Sequence, residues 1–126
     1  MALPVAVNPI KYYEINGQVC QVYCAPLAFT VANNQTVLAA ITGKKIRVMG
    51  LDGYSDGAGG SVVALLDGSG GTVLYRAGFA AAITQAPKLL PIAHSGYFET
   101  TVSTGLFLNA ITTAGAINVF YVAYTP

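Results

Sequence analysis

The sequence predicts an all-β chain: an antiparallel β-sandwich, or jelly roll, of about eight strands with at most one short helical turn. Three observations carry this. Short runs rich in β-branched and aromatic residues recur along the chain, at roughly the 8–12-residue spacing of sandwich strands. Glycine-rich turns separate them, as in Gly68-Ser69-Gly70-Gly71. The last two runs, residues 106–112 and 116–124, are both rich in β-branched and aromatic residues, and the second is mostly apolar on both of its faces, which suits a strand covered on both sides.

Residues 1–17 hold Pro4, Pro9 and the Asn16-Gly17 pair, and are expected as an extended N-terminal arm ending in a tight turn. Residues 18–126 are expected as a single sandwich domain. Residues 18–25 form a strand candidate that Pro26 closes or marks as an edge, and 27–31 form a second short strand. Asn33-Asn34-Gln35 reads as a turn. Residues 36–41 read as a buried strand, and Thr42-Gly43-Lys44-Lys45 as a hairpin turn into 46–52. There Ile46 and Val48 point inward, while Lys45 and Arg47 point to water. Residues 50–60 form a flexible loop or a bulged strand. Ser61–Asp67 reads as a buried strand, with 68–71 as a hairpin loop and 72–76 as the returning partner. Residues 77–86 are the one place for a helical turn, stopped by Pro87. Residues 88–94 read as an edge strand, because Pro91 cannot donate to a ladder. Ser95-Gly96 turns the chain into 97–102. Residues 106–112 and 116–124 then read as a terminal hairpin about Thr113-Ala114-Gly115. In its second run Ile117, Val119, Tyr121 and Ala123 share one face, and Asn118, Phe120, Val122 and Tyr124 the other. Both faces must be hidden, by a second sheet or by another subunit.

Composition bounds the function. A chain of 126 residues makes one domain, and buries roughly two-thirds of its unfolded surface. Charged residues are 9%, against about 25% in ordinary soluble domains. Surface so poor in charge is expected to lie against protein partners. No continuous apolar 18-mer and no recurring aromatic girdle occur, so no membrane span is expected. The start lacks a basic, then apolar, leader pattern, so no signal peptide is expected. The six basic residues are scattered and make no stripe for nucleic acid. Cys20 and Cys24, on one extended strand, would sit about 13 Å apart, too far for a disulfide. Free thiols fit synthesis in a reducing cytoplasm.

Candidate chemistry is sparse. His94 is the sole histidine, and beside Ser95 it reads as a turn residue rather than a catalytic base. No Gly-x-Ser-x-Gly elbow and no P-loop occur. Asp52 and Asp56 share a glycine-rich stretch and are candidate cation ligands, but the alternating acids and closing Glu of an EF-hand are missing. No enzyme, no cofactor and no metal centre are expected. Among eight tyrosines, Tyr12, Tyr13, Tyr121 and Tyr124 are candidate partner contacts, since tyrosine suits interfaces.

Residues 36–48, Thr36-Val-Leu-Ala-Ala-Ile-Thr-Gly-Lys-Lys-Ile-Arg-Val48, resemble the opening of small jelly-roll capsid cement (decoration) proteins of tailed bacteriophages. The middle hairpin, residues 61–76, Leu90-Pro91, Gly96-Tyr-Phe-Glu-Thr100, Gly105-Leu-Phe-Leu-Asn109 and the closing strand 117–124 continue the likeness. Tyr97 stands where that family often has Trp, and residues 1–35 match nothing in it. The resemblance implies a homo-oligomer, a trimer before a dimer, that is made in the host cytoplasm. It implies binding to the major capsid protein on the outer surface of the assembled head, and no catalytic residues. The alternative is a jelly-roll module of a head fibre or tail that recognises a host glycan or receptor. Exposed aromatics and carboxylates around one concavity would mark it.

Overall fold

Strand after strand buries alternate side chains, and those side chains meet in one apolar layer between two sheets. The computed structural model describes residues 11–56, 60–79, 88–93 and 95–126. Among them lie the strands β1 (Tyr12–Ile15), β2 (Gln18–Gln21), β3 (Tyr23–Phe29), β4 (Ala32–Leu38), β5 (Lys45–Ser55) and β6 (Ser61–Asp67). They continue with β7 (Thr72–Phe79), β8 (Lys88–Leu90), β9 (Phe98–Glu99), β10 (Leu106–Ala110) and β11 (Gly115–Tyr124). One sheet runs β4-β10-β6-β7. The other runs β3-β11-β5, with β8 and β9 sharing its far edge. Every pairing is antiparallel. From β3 onward the chain crosses repeatedly between the sheets, which is the two-Greek-key connectivity of a jelly roll. The fold class is the one the sequence predicts. The helical turn expected within 77–86 falls mostly on residues outside the described ones, and residues 77–79 belong to β7.

Several local expectations change. β10 and β11 do not form a hairpin; they lie in opposite sheets. β11 instead pairs with β3 on one side and, from Gly115 to Tyr124, with β5 on the other. A strand apolar on both faces is best placed where both edges and both faces are covered, and the centre of a sheet offers that. The turn at Thr42-Gly43 likewise carries the chain between sheets, from β4 to β5. Of the two readings of Pro26 the edge holds: it does not end a strand but sits within β3, an edge strand that needs no second ladder at that nitrogen. Asn33-Asn34-Gln35 lies inside β4, where Asn34 takes a φ of 56° and the ladder to β10 slips register.

Residues 50–55, expected as a flexible loop or bulged strand, are regular strand within β5, and the bulge of β5 lies just before them. Phe120 of β11 faces Gly50 and Tyr121 faces Val48, so Met49 is the extra residue. The insertion reverses the alternation. Val48 and Leu51, three apart, both enter the inter-sheet core with Leu65, Leu108 and Val119. Met49 enters a second cluster on the opposite face of the same sheet.

That second cluster answers what covers the other face of β11. β1 and β2 form a hairpin through Asn16-Gly17, whose φ values of 51° and 73° are both positive, as a two-residue I′-type turn requires. Its inward residues Ile15 and Cys20 join Val22, Met49, Val122 and Tyr124, with Tyr13 and Phe120 packed alongside. The Gln18 side chain finishes the seal. Its amide accepts from Thr125 N at 3.0 Å and donates to Thr125 O at 2.5 Å, imitating a backbone ladder. The cover is the chain's own N-terminal hairpin.

Candidate functional site

The four tyrosines singled out for contact divide. Tyr12 is on the outward side of β1 and 57% exposed, whereas Tyr13 on the inward side is half-buried against the hairpin cluster. Tyr121 packs against the inter-sheet core, its ring 5.9 Å from the more exposed Tyr23 across the β3–β11 ladder. Burial, then Tyr23 and Cys24, push the Tyr121 phenol above its ordinary pKa, so it is neutral. Tyr124 is 3% exposed, and its hydroxyl is engaged within the chain.

Asp52 is a strand residue of β5 and not a loop residue. Asn118 of β11, directly across the ladder, donates its amide to the Asp52 carboxylate at 2.7 Å. Asp56 is exposed just past the end of β5, and its backbone N donates to Ala114 O at 2.8 Å. Among the described residues no three His, Cys, Asp or Glu side chains come together as a metal set. Both cysteines are free, Cys20 buried and Cys24 half-buried. Burial, then the charge of Asp52, raise the Cys24 thiol pKa, which makes it a poor nucleophile. His94 lies outside the described residues.

The densest polar constellation lies where β5, β9 and β11 meet. The register sets Glu99 of β9 opposite Arg47 of β5, with Tyr124 opposite Lys45 on the other side. Glu99 Oε1 accepts from Arg47 Nε at 3.0 Å and Nη2 at 2.8 Å. Its Oε2 accepts from Lys45 Nζ at 2.9 Å and Tyr124 Oη at 2.8 Å. The guanidinium also lies over the Tyr124 ring, 4.9 Å from its centroid. Burial alone would raise the Glu99 pKa. The hydrogen bonds from Lys45, Tyr124 and Arg47 outweigh it and hold the carboxyl below its usual range. Beside the network opens a cleft of about 190 Å³, lined by Arg47, Ser95, Gly96, Tyr97, Phe98 and Glu99. Sequence reading placed Lys45 and Arg47 on the wet face of a strand. It gave them no partner, because the β5–β9 register joins residues 52 apart in the chain.

The remaining feature is outward apolar surface. Val19, 75% exposed, stands on the outer side of the hairpin near Tyr12, and Tyr23 is 46% exposed just beyond its root. Val62 and Val73 are exposed on the outer side of the β6–β7 pair. No protein-family profile matches the chain, and no curated protein matches its sequence.

Proposed function

We propose that this protein is a structural jelly-roll protein that binds the outer surface of an assembled phage head and strengthens contacts between major capsid subunits. The observation that carries this reading is the outward apolar surface. A chain with 9% charged residues leaves Tyr12 and Val19 exposed on the outer side of the β1–β2 hairpin, and hydrophobic groups exposed together on a surface mark a contact region. The pattern resemblance over residues 36–124 supports the same reading. A protein that binds only the completed shell adds its binding free energy to the shell's stability. Many copies that each bridge neighbouring subunits gain further through multivalency.

The hairpin is part of the fold through Ile15 and Cys20, so the contact is tested with outward substitutions rather than by deletion. Tyr12→Ser with Val19→Ser should leave the fold intact and reduce the number of copies that co-sediment with purified capsids. A wild-type chain that remains a freely soluble monomer, with no affinity for capsids, would overturn the proposal.

A further inference from the structure

We infer that the cleft beside Glu99 is a carbohydrate subsite that holds a single pyranose ring. Its walls are fixed before any ligand arrives. Ala93 N donates to Met49 O at 2.9 Å, Gly96 N to Ala93 O at 3.0 Å and Tyr97 N to Val48 O at 2.9 Å, so Ala93 and Tyr97 are each tied to β5 and Gly96 to Ala93. A Cβ on Gly96, which sits at a φ of 72°, would lie 2.9 Å from Arg47 Cγ. The turn therefore rests directly on the Arg47 stem, with no room for a side chain between them.

The chemistry matches one face and one edge of a sugar. Tyr97 is 40% exposed, yet its hydroxyl donates to Pro91 O at 2.7 Å, which fixes the ring in place. An aromatic face carries negative charge density, and the C–H face of a pyranose offers it weak positive charge. Glu99 already accepts four hydrogen bonds, and an ionised carboxylate has about four acceptor positions. Its role is to hold the guanidinium in one plane. Arg47 and the exposed Ser95 also line the cleft, and a guanidinium and a hydroxyl are donors suited to ring hydroxyls. The volume of about 190 Å³ is below the roughly 300–1,000 Å³ that encloses a drug-sized ligand, so one ring fits and the rest of a glycan extends into solvent. Glu99 is the one carboxylate among the lining residues and is fully engaged. Two carboxyls are needed to flank a scissile bond, so the cleft binds sugar without hydrolysing it.

This inference does not depend on shell binding; capsid co-sedimentation and sugar titration of the isolated chain can each fail alone. The test is an amide-resolved NMR titration of the full chain with methyl glycosides of glucose, galactose, mannose and N-acetylglucosamine. At least one should shift residues 95–99 and Arg47. Tyr97→Ala should weaken that binding about tenfold or more, while Tyr97→Phe, which keeps the ring, should stay within about threefold. Ser95→Ala, a change at an exposed hydroxyl, should weaken it measurably without touching the fold. No localised shift with any glycoside, or an affinity indifferent to both Tyr97→Ala and Ser95→Ala, would overturn the inference.

Discussion

The Glu99 carboxylate ties side chains of β5 and β11 to β9, and its substitution has a calculable sign. Glu99→Gln keeps the shape but removes the charge shared by Lys45 and Arg47, whose mutual repulsion is then uncompensated. The carboxylate side chain is 28% exposed, so solvent screening limits the loss to about 1–2 kcal/mol. The pH dependence follows from the lowered pKa of Glu99. A carboxyl that is more acidic in the folded than in the unfolded state adds stability above its unfolded pKa, about 4.3. That stability disappears as pH falls through the lower folded value. Urea titrations between neutral pH and pH 3 should show the wild type losing stability on this acid limb, and Glu99→Gln losing less of it. Parallel acid limbs would mean that Glu99 titrates alike in both states.

At the scale of elements, the β1–β2 hairpin is, among the described residues, the one strand pair that belongs to neither sheet of the sandwich. It is held by Ile15, Cys20 and the Gln18–Thr125 clamp. Ile15→Ala removes a buried branched side chain from that small cluster, at a cost of about 2–5 kcal/mol to hairpin docking. Elements attached by a separate cluster open locally, below the free energy of global unfolding. Amide exchange of residues 12–21 should therefore accelerate strongly in Ile15→Ala, while the β5–β11 ladder stays slow. Equal acceleration across both sheets would show that hairpin and sandwich open as one unit. Either way Val122 and Met49, both fully buried under the hairpin, would gain solvent on opening.

At the scale of the whole molecule, stability is concentrated between the sheets. Leu108 of β10 has no exposed surface and faces the layer formed with Val119 of β11 and Leu51 of β5. Leu108→Ala should lower global stability by about 2–5 kcal/mol, because packed sheets on both sides cannot fully close the cavity. The urea midpoint should fall while the slope stays constant, since the surface exposed on unfolding is unchanged. A reduced slope would instead point to a loosened native or a more compact denatured state. The same layered architecture leaves a small chain with two outer sheet faces. The hairpin covers part of one, and Val62 and Val73 remain uncovered on the other.

What the sequence determined by itself was local. Alternation and β-branched content marked nearly every strand, Asn16-Gly17 marked a tight turn, and 68–71 marked the loop that returns β6 into β7. The apolar character of both faces of 116–124 showed that both were buried. Only the tertiary structure decided what buried them and which strands pair. A ladder is made of backbone groups that every residue carries, so the two runs around Thr113-Ala114-Gly115 could as well pair with each other as with distant partners. Competition for two covered faces and two paired edges sent β10 and β11 to opposite sheets. For the same reason the cleft was not legible: Arg47, Tyr97 and Glu99 are neighbours because of one antiparallel register, and no spacing along the chain records it.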